Sequence, residues 1–439
     1  MRKKLCVLSL VALLLVGIAG NVMAYDLPFN DGDVDFGGAT VTYVGWWDPR
    51  EGFVEGGDYA GRLEEAMERY NIGDIQYISL AWGDELRENM LNRLMSEEST
   101  YDIWCLPAAQ VWPMVSADAF YPMNEVLPNS YYESLNSEQR SIIGAFTYEN
   151  EKYALGLGTG AIQTAVYMVW NKEIFANEGL PELDELYLND EWTWEKMEEI
   201  AVAATTDTSG DGEVDQWGIS DIDPVPFAFS NGADPIVKAF DGDLTFGYTN
   251  EKAYYALGKL RQWISEMNIK QGDWQHLEFK AGQVAMAPMQ SWMIGDPGFQ
   301  DVVEFDYGIV PLPKGPNADR YYYPASADAF FVPVNAEMPK GLAALHNFLY
   351  RPEEVVEERE NYVLDRARDQ VSYQVLYDAY ETWDGEGFNM AGVIGEWWQG
   401  DTPFGAAMGA VLWEGQSPAS AMEAAEPEIQ TLLDEMFDQ

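Results

Sequence analysis

Residues 101–106, YDIWCL, read as a short buried strand, and the segments before it fit the same pattern. Ala39 to Trp46 (ATVTYVGW) is β-branched and predicts a strand, Gly61 to Tyr70 a helix, Ile75 to Leu80 a second strand, and Asp84 to Ser96 a second helix. The resulting βαβαβ alternation implies parallel strands joined by right-handed crossovers. In sheets of that kind ligands sit beyond the carboxyl ends of the strands. The segments placed there are Trp46, Trp47 and Asp48 after the first strand, and 107–112 (PAAQVW), with Gln110 and Trp112, in the loop after the third.

Downstream, KYALGLGTGAIQTAVYMVWNK (residues 152–172) predicts two strands separated by glycines, with a helix from Glu173. Further helices are expected at Trp194 to Ala204, Asn250 to Met267, Pro339 to Tyr350 and Pro352 to Tyr362. Ser417-Pro418 has the form of an N-cap and first-turn pair opening a last helix that runs to about Phe437 through Pro427. With no repeat and no low-complexity linker, the chain reads as two interwoven α/β lobes.

The first 24 residues, MRKKLCVLSLVALLLVGIAGNVMA, have the basic tip, apolar run and small-residue ending of a secretory leader cut before Tyr25. Cys6 lies within that leader and away from the cut, so the exported chain is expected to be soluble rather than lipid-anchored. After removal Cys105 is the only cysteine, no disulfide forms within the chain, and stability must come from a core. The 415 residues that remain of 439 are ample for one.

Twenty-five basic against 74 acidic residues give a net charge of −49, and losing Arg2, Lys3 and Lys4 with the leader takes it to −52. Such a surface repels nucleic acid and anionic lipid. Sixteen tryptophans and 47% hydrophobic residues exclude a disordered acidic tail. The acidic shell suits a saline medium, where screening shortens self-repulsion from about 8 Å at physiological ionic strength to about 3 Å at 1 M. A generically acidic secreted protein is the other reading.

GLGTGA (residues 156–161) satisfies a loose dinucleotide pattern, but the β-branched, aromatic IQTAVYMVW after it is no helix whose N-terminus could hold a pyrophosphate; a glycine hinge between strands fits better. His276 and His346 are the only histidines, and neither adjoins a nucleophile elbow or a metal-ligand pair. Cys105 falls in a strand and reads as core. With 74 acids, paired carboxylates for glycoside hydrolysis stay open. Trp46, Trp47, Trp112, Trp292, Trp397 and Trp398 fall beside or close to Gly, Pro or Ser at strand ends and loops. Their flat apolar faces suit stacking on sugar rings, and filling a lobe interface is the alternative.

Several motifs in this order resemble the family 1 extracellular solute-binding proteins, the sugar-capturing receptors of bacterial ABC importers. They are YDIWCL, VYMVWNKEIFANEGLP, WTWEKMEEIA, DTSGDGEVDQWG, FKAGQVAMAPMQSW, YGIVPLPKGP and the helix after LWEGQSPASAM, spread over nearly the whole mature chain. The resemblance implies a type II periplasmic-binding-protein fold, an α/β architecture of two lobes joined by crossing segments. These crossings fall near Thr159 to Ile162, Ala325 to Ala329 and Asp365. Lobe 1 is then residues 25–160 and 327–366, and lobe 2 residues 161–326 and 367–439. It also implies that Trp292, in QSW, faces the cleft, as do Gln110, Trp398 and, more weakly, Asp328. The sequence departs from many relatives in having GLGTGAIQ where they carry a proline near the hinge.

The implied function is a monomeric, non-enzymatic carbohydrate receptor of the periplasm. It would need no cofactor and would serve the permease subunits of an ABC transporter. A secreted carboxylate-dependent glycoside hydrolase, and a same-fold receptor for a peptide or polyamine, are the rivals. Residues 207–218, DTSGDGEVDQWG, resemble a loop common in the family. Asp207, Ser209, Asp211 and Asp215, with the Glu213 carbonyl, could hold one structural Ca2+, but Gly218 stands where a calcium hand has its bidentate Glu. A metal-free turn held by Asx-type bonds is the alternative.

Overall fold

The computed structural model describes residues 27, 30–53, 60–81, 84–96, 101–135, 137–155, 164–238, 243–350, 355–382 and 390–437. The expected leader, the GLGTGA segment and the first expected crossing lie outside them. In chain order the strands are β1 (Thr40–Gly45), β2 (Asp74–Ser79), β3 (Ile103–Pro107), β4 (Thr147–Tyr148), β5 (Glu151–Lys152), β6 (Val166–Asn171), β7 (Trp217–Ile219), β8 (Ile236–Lys238), β9 (Leu244–Phe246), β10 (Val284–Gln290), β11 (Tyr307–Pro311) and β12 (Asp328–Phe331).

The opening alternation forms as the sequence predicts. β1 pairs in parallel with β2 and β3, with the helices Arg62–Tyr70 and Asp84–Met95 as crossovers. β12 adds antiparallel to β3, giving a first sheet in the order β12-β3-β1-β2. The second sheet, β11-β6-β10-β7, has β6 antiparallel to both of its neighbours and β7 parallel to β10. The chain is therefore two-lobed and mixed α/β, with one four-stranded sheet to each lobe and two further two-stranded pairs, β4-β5 and β8-β9.

β6 (VYMVWN) and β10 (VAMAPMQ) read as unbroken apolar runs because both faces are covered; every residue of β6 is buried. The helix Trp194–Ala204 lies against β7 so closely that a Cβ on Gly218 would sit 2.0 Å from the Ala201 carbonyl, so only glycine fits there. Trp104, Trp112, Trp170, Trp192, Trp194 and Trp263 are fully buried, and truncating any one to Ala should cost roughly 3–5 kcal/mol.

The helices Trp194–Ala204 and Pro418–Phe437 run as expected, the latter through Pro427. Asn250 caps Glu251–Arg261, whose last turn widens over Gln262–Glu266. One segment corrects the sequence reading: residues 108–115 form a helix, not a loop, so Gln110 and Trp112 are helical and buried. The internal Pro113 and the apolar residues all round hid its period.

Among the described residues no helix is long and apolar enough to cross a membrane.

Candidate functional site

Two crossing segments decide where a ligand can sit. Residues 164–165 lead into β6 of the second sheet, and 324–327 lead into β12 of the first. They run side by side: the Val166 amide donates to the Pro324 carbonyl at 3.0 Å, and the Ser326 amide to Thr164 Oγ1 at 2.8 Å. β12 starts at Asp328 opposite Pro107, the last residue of β3, and β6 starts at Val166 opposite Gln290, the last residue of β10. The carboxyl edges of both sheets therefore lie at the crossing, the general location for ligands in open α/β sheets.

On the first edge Trp47 Nε1 donates to Asp328 Oδ2 at 3.2 Å. Burial raises the Asp328 carboxyl to about 6, against the lowering effect of that indole N–H. Trp46, next along, is 38% exposed. Asp48 points elsewhere: its carboxylate forms a bidentate pair with Arg50 at 2.7 Å, and Arg50 also reaches the Ile75 carbonyl. Burial opposes it, but the Arg50 bonds outweigh burial and hold Asp48 below the usual range. Gln110 is buried and accepts from Arg87 at 3.3 Å.

On the second edge, β10 ends at Gln290, and Trp292 on the short helix Ser291–Gly295 donates its indole N–H back to the Gln290 amide oxygen, leaving the ring 42% exposed. After β7 comes Asp223, which caps the helix Pro224–Ser230 by accepting from Val225 N at 3.1 Å. Glu396 is its electrostatic neighbour. Burial raises Asp223 to about 7, and burial followed by the Asp223 charge raises Glu396 to about 7. Trp397 is partly buried beside Asp223, and its ring meets Trp398 edge-on at 5.6 Å, leaving Trp398 57% exposed. The Tyr248 hydroxyl, buried and without a hydrogen-bond partner among the described residues, lies in the field of Asp234 and Asp223.

Trp46, Trp47 and Asp328 thus share the first edge, Trp292 follows β10 of the second sheet, and Trp397 and its neighbour Trp398 lie beside Asp223, which follows β7. Trp112 is not on an open face. It is fully buried, with the Lys238 ammonium 4.7 Å from its ring centroid. Two other indoles are exposed: Trp274, four residues after Lys270, which bridges Ile219 at the carboxyl end of β7, and Trp413, just after the helix Pro403–Leu412.

Asp223, Glu396 and Lys238 escaped the sequence reading. Asp223 carried a local signal, an Asp-Pro cap a few residues after a strand, and Glu396 directly precedes the Trp pair.

The loop 207–215 closes on itself. Asp207 accepts from the amides of Gly210 and Gly212 at 2.6 Å, and Asp215 from the amide and hydroxyl of Thr208 at 2.8 Å. The backbone amide of Gly212 above all lowers Asp207, and that of Thr208 lowers Asp215. Asp211 accepts from the Glu213 amide. Their oxygens serve the turn, and among the described residues no group of three or more His, Cys, Asp or Glu is arranged to hold a metal ion.

Two hinged lobes with facing carboxyl edges define a solute-binding protein. The chain belongs to the bacterial extracellular solute-binding protein family, whose pattern it matches over residues 64–358. No curated protein sequence matches it. Among solved structures it is similar to an extracellular solute-binding protein from Staphylococcus aureus in complex with maltose (15% identity, 91% of this chain and 98% of that one, TM-score 0.63). It is also similar to an ABC transporter solute-binding protein from Agrobacterium radiobacter in complex with ribitol (17% identity, 91% and 99%, TM-score 0.62). A third is a Mycobacterium tuberculosis protein in complex with glycerophosphocholine (14% identity, 90% and 98%, TM-score 0.61). At these identities the likeness is one of fold.

Proposed function

We propose that the protein is an extracytoplasmic carbohydrate receptor that closes on a sugar or oligosaccharide without altering it and hands it to the permease subunits of an ABC transporter. The observation that carries this reading is the position of the exposed indoles. Trp46 lies at the carboxyl edge of one sheet and Trp292 at that of the other, with Trp398 beside the second-lobe acids. The solved relatives in complex with maltose and ribitol support the same ligand class.

The acids suit a neutral, hydroxyl-rich ligand. With Asp223 and Glu396 raised to about 7 and Asp328 to about 6, these carboxyl groups are partly protonated near neutral pH. They can donate to hydroxyls as well as accept from them. The glycerophosphocholine-bound relative makes a non-sugar solute the second reading.

In this reading the leader is removed on export and the mature chain works as a soluble periplasmic or secreted monomer. The 207–218 loop is a metal-free turn, because its carboxylates already accept from their own backbone.

A thermal-shift screen tests the ligand class with mono- and oligosaccharides in one arm and polyamines and peptides in the other. A saccharide at 100 times its Kd should add about 2.7 kcal/mol of stability. Stabilisation by the second arm alone would replace the sugar reading with the other.

A further inference from the structure

The lobes also meet away from the crossing segments, and one contact is chemically specific. Lys238 ends β8, a strand of the β8–β9 hairpin that packs on the C-terminal helix of the second lobe. Its ammonium donates to three carbonyls of the first lobe: Gly144 at 2.7 Å, Ala145 at 3.0 Å and Thr147 at 2.8 Å. Two of these end the helix Ser137–Ala145, and the third lies just beyond it.

The last carbonyls of a helix have no partner within it and carry the negative end of its dipole, so an ammonium with three donors answers both needs. The Trp112 ring, 4.7 Å away, covers the same cation. Burial lowers the Lys238 pKa to about 8, so at pH 7 the group is still charged. Close by, Gly392 of the second lobe approaches Ala109 of the first so tightly that a Cβ on Gly392 would sit 2.4 Å from the Ala109 Cβ.

We propose that Lys238 is the latch of the closed state, a positioning residue that sets the open–closed equilibrium by capping the helix Ser137–Ala145 across the lobe boundary. It rests on the hinged-receptor reading but not on the identity of the ligand. Swinging the lobes apart breaks all three bonds and returns the carbonyls and the ammonium to water. The latch therefore acts on closure and leaves each lobe's own core alone. A receptor's apparent affinity scales with its population of the binding-competent state, so a latch far from the ligand tunes affinity without touching it.

The test uses the full mature chain without ligand, spin-labelled through Met95→Cys on the first lobe and Val302→Cys on the second. Both positions are exposed, and the buried Cys105 stays unlabelled. At pH 7 electron–electron distance measurements should give one short distance. Lys238→Met and Lys238→Gln should move the main population to a longer distance, with the closed fraction down by about tenfold, on the scale of losing charge-assisted hydrogen bonds. Lys238→Arg, which keeps charge and donors, should retain most of the short-distance population. Gly392→Val, a wedge against Ala109, shows that the labels sense opening. A wild-type distance already long, or removal variants that overlay the wild type while the wedge does not, would overturn the latch. With no ligand added, neither outcome bears on the sugar reading.

Discussion

Trp47 and Asp328, 281 residues apart, are joined by an indole N–H donated to a carboxylate at 3.2 Å, and the bond ties the end of β1 to the start of β12. It braces the start of β12, the strand fed by the crossing residues 324–327. Asp328→Ala leaves the indole N–H without its acceptor and should cost about 1–3 kcal/mol. Asp328→Asn keeps an acceptor oxygen and should cost less. Urea unfolding of the two variants checks the order.

Stability should fall as pH rises from about 4 to about 7. Asp223, Asp234 and Glu396 are raised by burial to about 7, so over that window the folded state holds protons that the unfolded state has released. Their penalty is absent below the unfolded carboxylate range and complete above about 7. The large acidic excess acts in the same direction, so the informative comparison is Asp223→Asn, which keeps a capping oxygen. Its melting temperature should depend less steeply on pH than that of the wild type.

Calcium should leave the protein unchanged. Asp207 and Asp215 already accept from backbone amides of their own loop. A titration with millimolar Ca2+ should give no heat of binding, and chelator should not move the melting temperature. A saturable exothermic or endothermic curve would restore the metal clip.

Salt should stabilise. A net charge of −49 repels itself, and ions at 1 M shorten that repulsion to about 3 Å. The melting temperature should climb from low salt to molar NaCl. A flat profile would leave the acidic shell without a role in a saline medium.

The fold was legible because its signals are local. β-branched and apolar runs punctuated by charged helical stretches spelled out β1 to β3, and the Ser417-Pro418 pair marked the start of the last helix. The helix Ala108–Val115 was not legible, since an internal proline and residues apolar on every side leave no amphipathic period. The indoles were legible only as a set. Trp46, Trp292 and Trp398 stand open while Trp112 is sealed under Lys238, a difference set by packing between segments far apart in sequence. Asp48 had its neutralising partner two residues on, in Arg50. Asp223 and Glu396 become neighbours only when the C-terminal segment folds back on the second lobe, and no spacing rule could have paired them.

The central claim, that the two edges close on a saccharide and leave it intact, is tested most directly by titration calorimetry of a saccharide that stabilises the protein, followed by chromatographic recovery of that saccharide. One molecule should bind per chain, it should be recovered uncleaved, and Trp292→Ala should weaken binding by roughly 1–3 kcal/mol, the scale of a buried aromatic contact. Recovery of cleaved sugar, or an affinity indifferent to Trp292, would contradict the account.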